Sequence, residues 1–303
     1  MISTSGGIYA RNQSGDALKV TSEGKITSGT GISARSATGN VSVTSTGDIS
    51  ATGSGIFSRT YGSAAASIKS TGTVSGFFGL YASSTSGSAT IDNFGDVSGL
   101  VGLFARGLGA GAITITSTGN VSGTNNFAIY SDAGSGVVKV DSTGNVTANG
   151  SAILLKGGSS ADLTLHSGTV SGGSNGVAFI AGGANTLKNY AAISGGALAV
   201  RGTTGNETIN NYNLITGNVD LGTGANAFNN RAGAAFRSGP FVSVGAGNTL
   251  TNAGDLSPGG TGNVLTTFLT GKLVQTSTGT FTVDVDQAGA GADSVTVLSL
   301  IHI

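Results

Sequence analysis

The sequence predicts an all-β chain folded as a right-handed, single-stranded parallel β-helix, a solenoid of about 11–12 rungs with a small β cap at its C-terminal end. Three observations predict it. A short element, Ser-Thr-Gly-x-Val/Ile with small variations, recurs every 20 to 25 residues. Between its copies run short stretches in which apolar and polar residues alternate. The composition is that of short strands and tight turns: 54 of the 303 residues are Gly, charged residues make up only 9%, and Val, Ile, Thr, Ser and Asn are abundant.

The apolar residue of the recurring element falls at Ile26, Ile49, Val74, Val97, Val121, Val146, Val170 and Ile193, and Ile215, Phe236 and Leu256 continue the series. One such period is one supersecondary unit. Propeller blades need roughly 40 or more residues, and leucine-rich repeats need a regular Leu-x-x-Leu-x-Leu pattern that is missing. Each unit has the same grammar. A strand such as Gly7-Ile8-Tyr9-Ala10-Arg11 comes first, and a loop of Gly, Ser and Asn follows. A second strand such as Val41-Ser42-Val43 leads to a small polar corner residue and a short third strand.

Alternation assigns the faces of the second strand. Leu18/Val20, Val41/Val43, Ala66/Ile68, Ala89/Ile91, Ile113/Ile115, Val138/Val140 and Leu163/Leu165 point inward. Lys19, Ser42, Ser67, Thr90, Thr114, Lys139 and Thr164 point to water, and a one-residue slip would bury two lysines. The corner residues form a column: Ser22, Ser45, Ser70, Asn93, Ser117, Ser142, Ser167, Asn189, Asn211, Asn230 and Asn252. At a sharp bend these satisfy local backbone groups, and stacked copies can bond one another along the axis. A dozen rungs ~4.8 Å apart make a rod of roughly 55–60 Å.

Composition narrows the function. With 38% apolar residues the chain is not of the disordered class, and two Pro are too few for collagen. The formal net charge of zero gives no field to attract nucleic acid, and no apolar run reaches the ~18 residues of a transmembrane helix. There is no Cys, which excludes a disulfide scaffold and thiol chemistry. The N-terminus already reads as repeat, with no signal peptide in view.

The repeats occupy 1–256. Beyond them come Val264 to Val274, then Gly279-Thr280-Phe281-Thr282-Val283-Asp284-Val285, then Asp293-Ser294-Val295-Thr296-Val297. This 257–297 segment reads as a cap on the open end of the helix, where unpaired backbone would otherwise aggregate. Residues 298–303 fit no part of the repeat and read as a tail foreign to it. The Leu256-Ser257-Pro258-Gly259 step with the two strands after it resembles the C-terminal end of bacterial autotransporter (type V secretion) passenger domains. In that family the segment closes the β-helix, acts as an autochaperone and leads into an outer-membrane translocator barrel. The resemblance implies an interior piece of a longer, surface-displayed or secreted passenger, anchored in the outer membrane through its barrel partner.

No reaction chemistry assembles along the chain. Gly172-Gly173-Ser174-Asn175-Gly176 matches a nucleophile motif that has meaning only on a strand-to-helix elbow. His166 is the one internal histidine and falls on the solvent side. Gly259-Gly260-Thr261-Gly262-Asn263 is half a calcium repeat, present once and with Asn in place of Asp. Asp48 with Asp96, and Asp92 with Asp96, could stack as carboxylate pairs on a glycosidase-like wall, but read as turn and surface acids. Asp284 and Asp286 fit a solvated edge. The expectation is a protein without catalytic, cofactor or metal site.

One strip remains as a candidate ligand site. The fifth residue of the first strand is Arg11, Arg35, Arg59, Ser83, Arg106, Asp132 and Lys156, with Arg201 further on, and the third is Tyr9, Ser33, Phe57, Tyr81, Phe104 and Tyr130. Both columns share one side. Unpaired arginines cannot sit in a thin apolar core, so that side faces outward. Stacked at ~4.8 Å, Arg and rings can pair as cation–π contacts or cover the wall with their stems. The sharper expectation is a strip binding an acidic surface polysaccharide, with sugars on the rings and Arg on their carboxylates. The function expected is thus a non-enzymatic, adhesin-like or structural rod meeting host or environmental glycans or proteins. The alternatives are a secreted β-helix lyase or hydrolase, which would need long loops and an acidic groove, and an inert spacer for a distal domain.

Overall fold

The computed structural model describes residues 2–3, 6–180, 182–289 and 291–302, with side chains from residue 6 to 297. Every regular element in them is a strand. Thirty-two strands join in one continuous network in which all pairings are parallel, wound as a β-solenoid of about 12 turns. A separate two-stranded sheet, Val285–Asp286 with Gly291–Ala292, is antiparallel.

A rung such as the second runs Ile32–Ser36, Val41–Ser45 and Ile49–Ala51. Each strand pairs with its equivalents one rung before and after. The third strands carry the recurring element, and their apolar residues stack without a break. Ile26 pairs with Ile49, Ile49 with Val74, Val74 with Val97 and Val97 with Val121. The column then runs through Val146, Val170, Ile193, Ile215, Phe236 and Leu256. From Ile49 to Leu256 all of these are buried. Ile56, Leu80, Leu103 and Ile129 of the first strands and Val43, Ile68, Ile91 and Ile115 of the second complete the interior. The Gly of the recurring element has a steric cause. A Cβ on Gly47 would lie 1.8 Å from the carbonyl oxygen of Gly24, and one on Gly95 2.3 Å from that of Gly72. The corners of successive rungs approach too closely for any side chain there.

Two positions differ from the sequence expectation, both by two residues. At the seventh rung the corner is Leu165, paired with Ser142 and Asn189, while Ser167 lies exposed in the turn. The inward pair in register with Val138/Val140 is therefore Ala161/Leu163. Arg201 pairs with Ala178 and so stands in the third-residue column, not the fifth. A shift of two preserves which face a side chain points to, so alternation does not detect it.

Past Leu256 the strands continue to stack. Thr266–Gln275 pairs in parallel with Ala235–Ser243 and Thr249–Asn252 on one side. On the other it pairs with Ser294–His302, so most of the last residues, outside the repeat grammar, are taken up as backbone partners. Asp284 holds the preceding loop, its Oδ2 accepting from the backbone N–H of Gly262 at 2.6 Å and of Asn263 at 3.2 Å.

Candidate ligand strip on the first-strand wall

The fifth-residue and third-residue columns both lie on the outer side of the first strands. Register links Tyr9 to Ser33, Ser33 to Phe57, Phe57 to Tyr81, Tyr81 to Phe104, and Phe104 to Tyr130. Arg11, Arg35 and Arg59 follow one another in the same way, and after Ser83 so do Arg106, Asp132 and Lys156. The sequence-derived residues are thus brought together on one wall, Arg201 among them but in the third-residue column.

From Phe57 onward the rings form a closed ladder. Phe57 and Tyr81 stack with centroids 4.8 Å apart, Tyr81 and Phe104 lie at 4.7 Å, and Phe104 and Tyr130 stack at 4.7 Å. Such spacing leaves no room between the rings. A flanking row missed by the sequence reading seals one side: Phe78 reaches Tyr81 at 5.4 Å and Phe104 at 5.8 Å, and Phe127 reaches Tyr130 at 5.0 Å. Tyr81, outside the core, is consequently only 7% exposed. Alternation does not reveal Phe78 and Phe127: each stands two residues before an inward Leu80 or Ile129, and so reads as inward itself.

The charges divide in the same place. Asp132 sits between two cations, 3.3 Å from Arg106 Nε and 3.2 Å from Lys156 Nζ. Its hydrogen bond raises the pKa of the Lys156 ammonium above the ordinary lysine value. Burial, reinforced by the Asp132 carboxylate, raises that of the Tyr130 phenol. Arg11, Arg35 and Arg59 have no carboxylate at ion-pair distance among the described residues. Arg35 instead places its guanidinium 4.8 Å from the Phe57 centroid, and Arg59 places its own 4.3 Å from that of Tyr61. Tyr9 is 68% exposed.

The remaining polar candidates resolve into structural roles. Asp48 Oδ1 accepts from the N–H of Thr73 at 2.9 Å and Asp96 Oδ1 from that of Asn120 at 2.8 Å. Asn120 and Asn145 do the same for the next rungs, so these acids are members of a corner series that ties rung to rung. His166 is exposed and lies 3.5 Å from Asp141. Strand Asn175–Ile180, not a helix, follows Ser174. Among the described residues no group of three acids or histidines is placed to hold a metal ion.

Two further features escaped the sequence reading. Tyr190 and Tyr212, exposed at the corner after the second strand, stack at 4.6 Å and 7°. Glu207 is fully buried inside the rod. Its Oε1 accepts from Asn185 Nδ2 at 2.9 Å, and its Oε2 has no hydrogen-bond partner. Burial raises its carboxyl pKa, against the lowering effect of the Asn185 hydrogen bond.

Comparison with family models, curated proteins and solved structures gave no match.

Proposed function

We propose that this chain is a non-enzymatic, surface-displayed rod of the autotransporter passenger type, and that its first-strand wall binds an acidic polysaccharide. The observation that carries the binding reading is the row of three guanidiniums, Arg11, Arg35 and Arg59, repeated rung by rung with no carboxylate partner among the described residues. A linear polyanion matches a linear row of cations. Guanidinium–carboxylate pairing adds geometry to charge. The passenger reading is supported by the stacked solenoid, by the absence of Cys in a chain to be threaded unfolded through an outer-membrane pore, and by the capping strands after Leu256.

Binding of oligogalacturonate to the full chain tests the wall. Affinity should fall as salt rises, because the interaction is between exposed charges. Replacing all three arginines (Arg11→Ser, Arg35→Ser, Arg59→Ser) should abolish it while leaving the thermal transition in place. Retained binding by the triple variant would move the ligand off this wall, and no binding by the wild type at low ionic strength would leave the strip only a surface.

A further inference from the structure

The strip is not uniform, and its breaks decide where a ligand fits. The rings from Phe57 to Tyr130 pack on one another at 4.7–4.8 Å, stacked in two pairs and tilted by 59° between Tyr81 and Phe104, and Arg35 covers the remaining face of Phe57. This packing takes up the ring faces between rungs. Arg106 and Lys156 are spent on Asp132. What stays open is the first two rungs. There the ladder lacks a ring, because Ser33 stands between Tyr9 and Phe57 in the register. A hollow of about 340 Å³ opens at this point, lined by Tyr9, Ala10, Arg11, Ser33, Arg35 and Tyr61. Its size is within the range of about 300–1,000 Å³ common to small-ligand sites.

The lining specifies chemistry. Arg11 and Arg35 are Cα partners on adjacent rungs and both line the hollow, so two cationic side chains border one place. Arg35 uses its face on Phe57, which leaves its in-plane N–H donors for an acceptor. Tyr9 is 68% exposed, and its register partner is Ser33, so on the side of the notch no ring covers its face. We propose that this notch at Ser33 is the recognition site for one carboxylated pyranose unit, a hexuronate, with its carboxylate between Arg11 and Arg35 and its C–H face on Tyr9. A neutral sugar would cover the guanidiniums without pairing them and is rejected on that ground.

The inference rests on the glycan-binding reading above and narrows it to one place. It is tested by calorimetric titration of oligogalacturonate into the 303-residue chain at low ionic strength. Wild type is compared with Tyr9→Ala, Ser33→Phe and Arg106→Ser. Ser33→Phe continues the ladder and fills the hollow without removing any charge. Tyr9→Ala removes a mostly exposed ring that pairs with no ring or cation among the described residues, so it reports on the notch even if the bulkier variant misfolds. Both should lose at least about tenfold in affinity, a change of about 1.4 kcal/mol. Arg106→Ser should bind within about twofold of wild type, a difference below about half a kcal/mol. Wild-type binding left intact in both Tyr9→Ala and Ser33→Phe would overturn the notch while the charged wall stood. No binding by wild type would remove the glycan reading itself.

Discussion

The same corner position is built in two chemistries along the rod. In the last rungs it is a closed amide ladder. Asn189 Nδ2 donates to Asn211 Oδ1 at 2.9 Å, Asn211 to Asn230 at 2.9 Å, Asn230 to Asn252 at 2.7 Å, and Asn252 to Gln275 Oε1 at 3.0 Å. Each of these four amides also donates to a third-strand carbonyl, those of Leu214, Ala235, Asp255 and Thr280. In the first rungs the position is mostly Ser, and the buried hydroxyls of Ser45, Ser70 and Ser142 have no hydrogen-bond partner. An amide carries donor and acceptor on a stem long enough to reach the next rung, ~4.8 Å away; a hydroxyl does not. The ladder half therefore gains corner hydrogen bonds where the Ser half bears the cost of buried, unpaired oxygens. The candidate ligand strip lies on the half that is less tied together.

This contrast can be broken most directly by removing one member from each half. Asn211→Ala leaves Asn230 Oδ1 without its donor and Asn189 Nδ2 without its acceptor in the ladder. Each buried group left unsatisfied costs about 1–3 kcal/mol. Ser70→Ala deletes a hydroxyl that bonds nothing, and should change stability by no more than about 0.5 kcal/mol. Urea unfolding of the two variants measures the difference. Equal losses would mean that the ladder contributes no more than the serines.

The amide half also contains a weak point. Glu207 occupies the interior position that Val138 and Ala161 hold in earlier rungs. Its folded pKa lies above the ordinary 4.5. The folded chain therefore holds this proton over a pH range in which the unfolded chain has lost it. The contribution is fully present below the unfolded pKa, declines as pH rises through the folded pKa, and is flat above. Glu207→Gln should abolish this decline, seen as a pH-dependent gap between the urea midpoints of variant and wild type. Parallel curves would assign the decline to other groups.

Much of this architecture is visible in the sequence because a solenoid writes its register as a repeat. The third-strand column from Ile26 to Leu256 follows from spacing alone, since every rung must return the chain to one axis. The outward side of the arginines follows from desolvation. Alternation carries position only modulo two: Leu165 and Arg201 keep their predicted side yet sit one pleat away from the expected column. Nor does it carry how side chains on one wall spend their faces. Phe57 to Tyr130 read as an exposed aromatic row, but rings at one-rung spacing stack on one another and withdraw from ligand. The hollow comes from a missing ring, at a Ser33 that looks unremarkable in a chain rich in Ser. Glu207 was hidden for another reason. The units shorten beyond Val170, and the inward pairs of the earlier rungs give way there to Asn185 and Glu207.

The smallest change asks whether an amide ladder can be extended into the serine half. Asn93 is an isolated amide in that half. Its Nδ2 donates to Gly95 O at 2.6 Å and Ser117 Oγ at 3.0 Å, while its Oδ1 has no partner. Ser70 is the residue one rung before it in the same column. In the existing ladder each amide donates forward, from one rung to the carbonyl oxygen of the next. Ser70→Asn would place a donor on the side of Asn93 where that oxygen is unpaired, and would extend the run in the same direction. Space is no obstacle in principle, because Asn93 itself sits between Ser70 and Ser117 in this column. The gain expected is about 0.5–1.5 kcal/mol, the net value of one buried hydrogen bond, read as a raised urea midpoint with unchanged slope. Amide exchange at Thr71 and Phe94, whose N–H groups bond across these corners to Ser45 and Ser70, should slow as well. A lowered midpoint would show that the serine corners are closed to amides by packing, and that the two halves differ in shape as well as in hydrogen bonding.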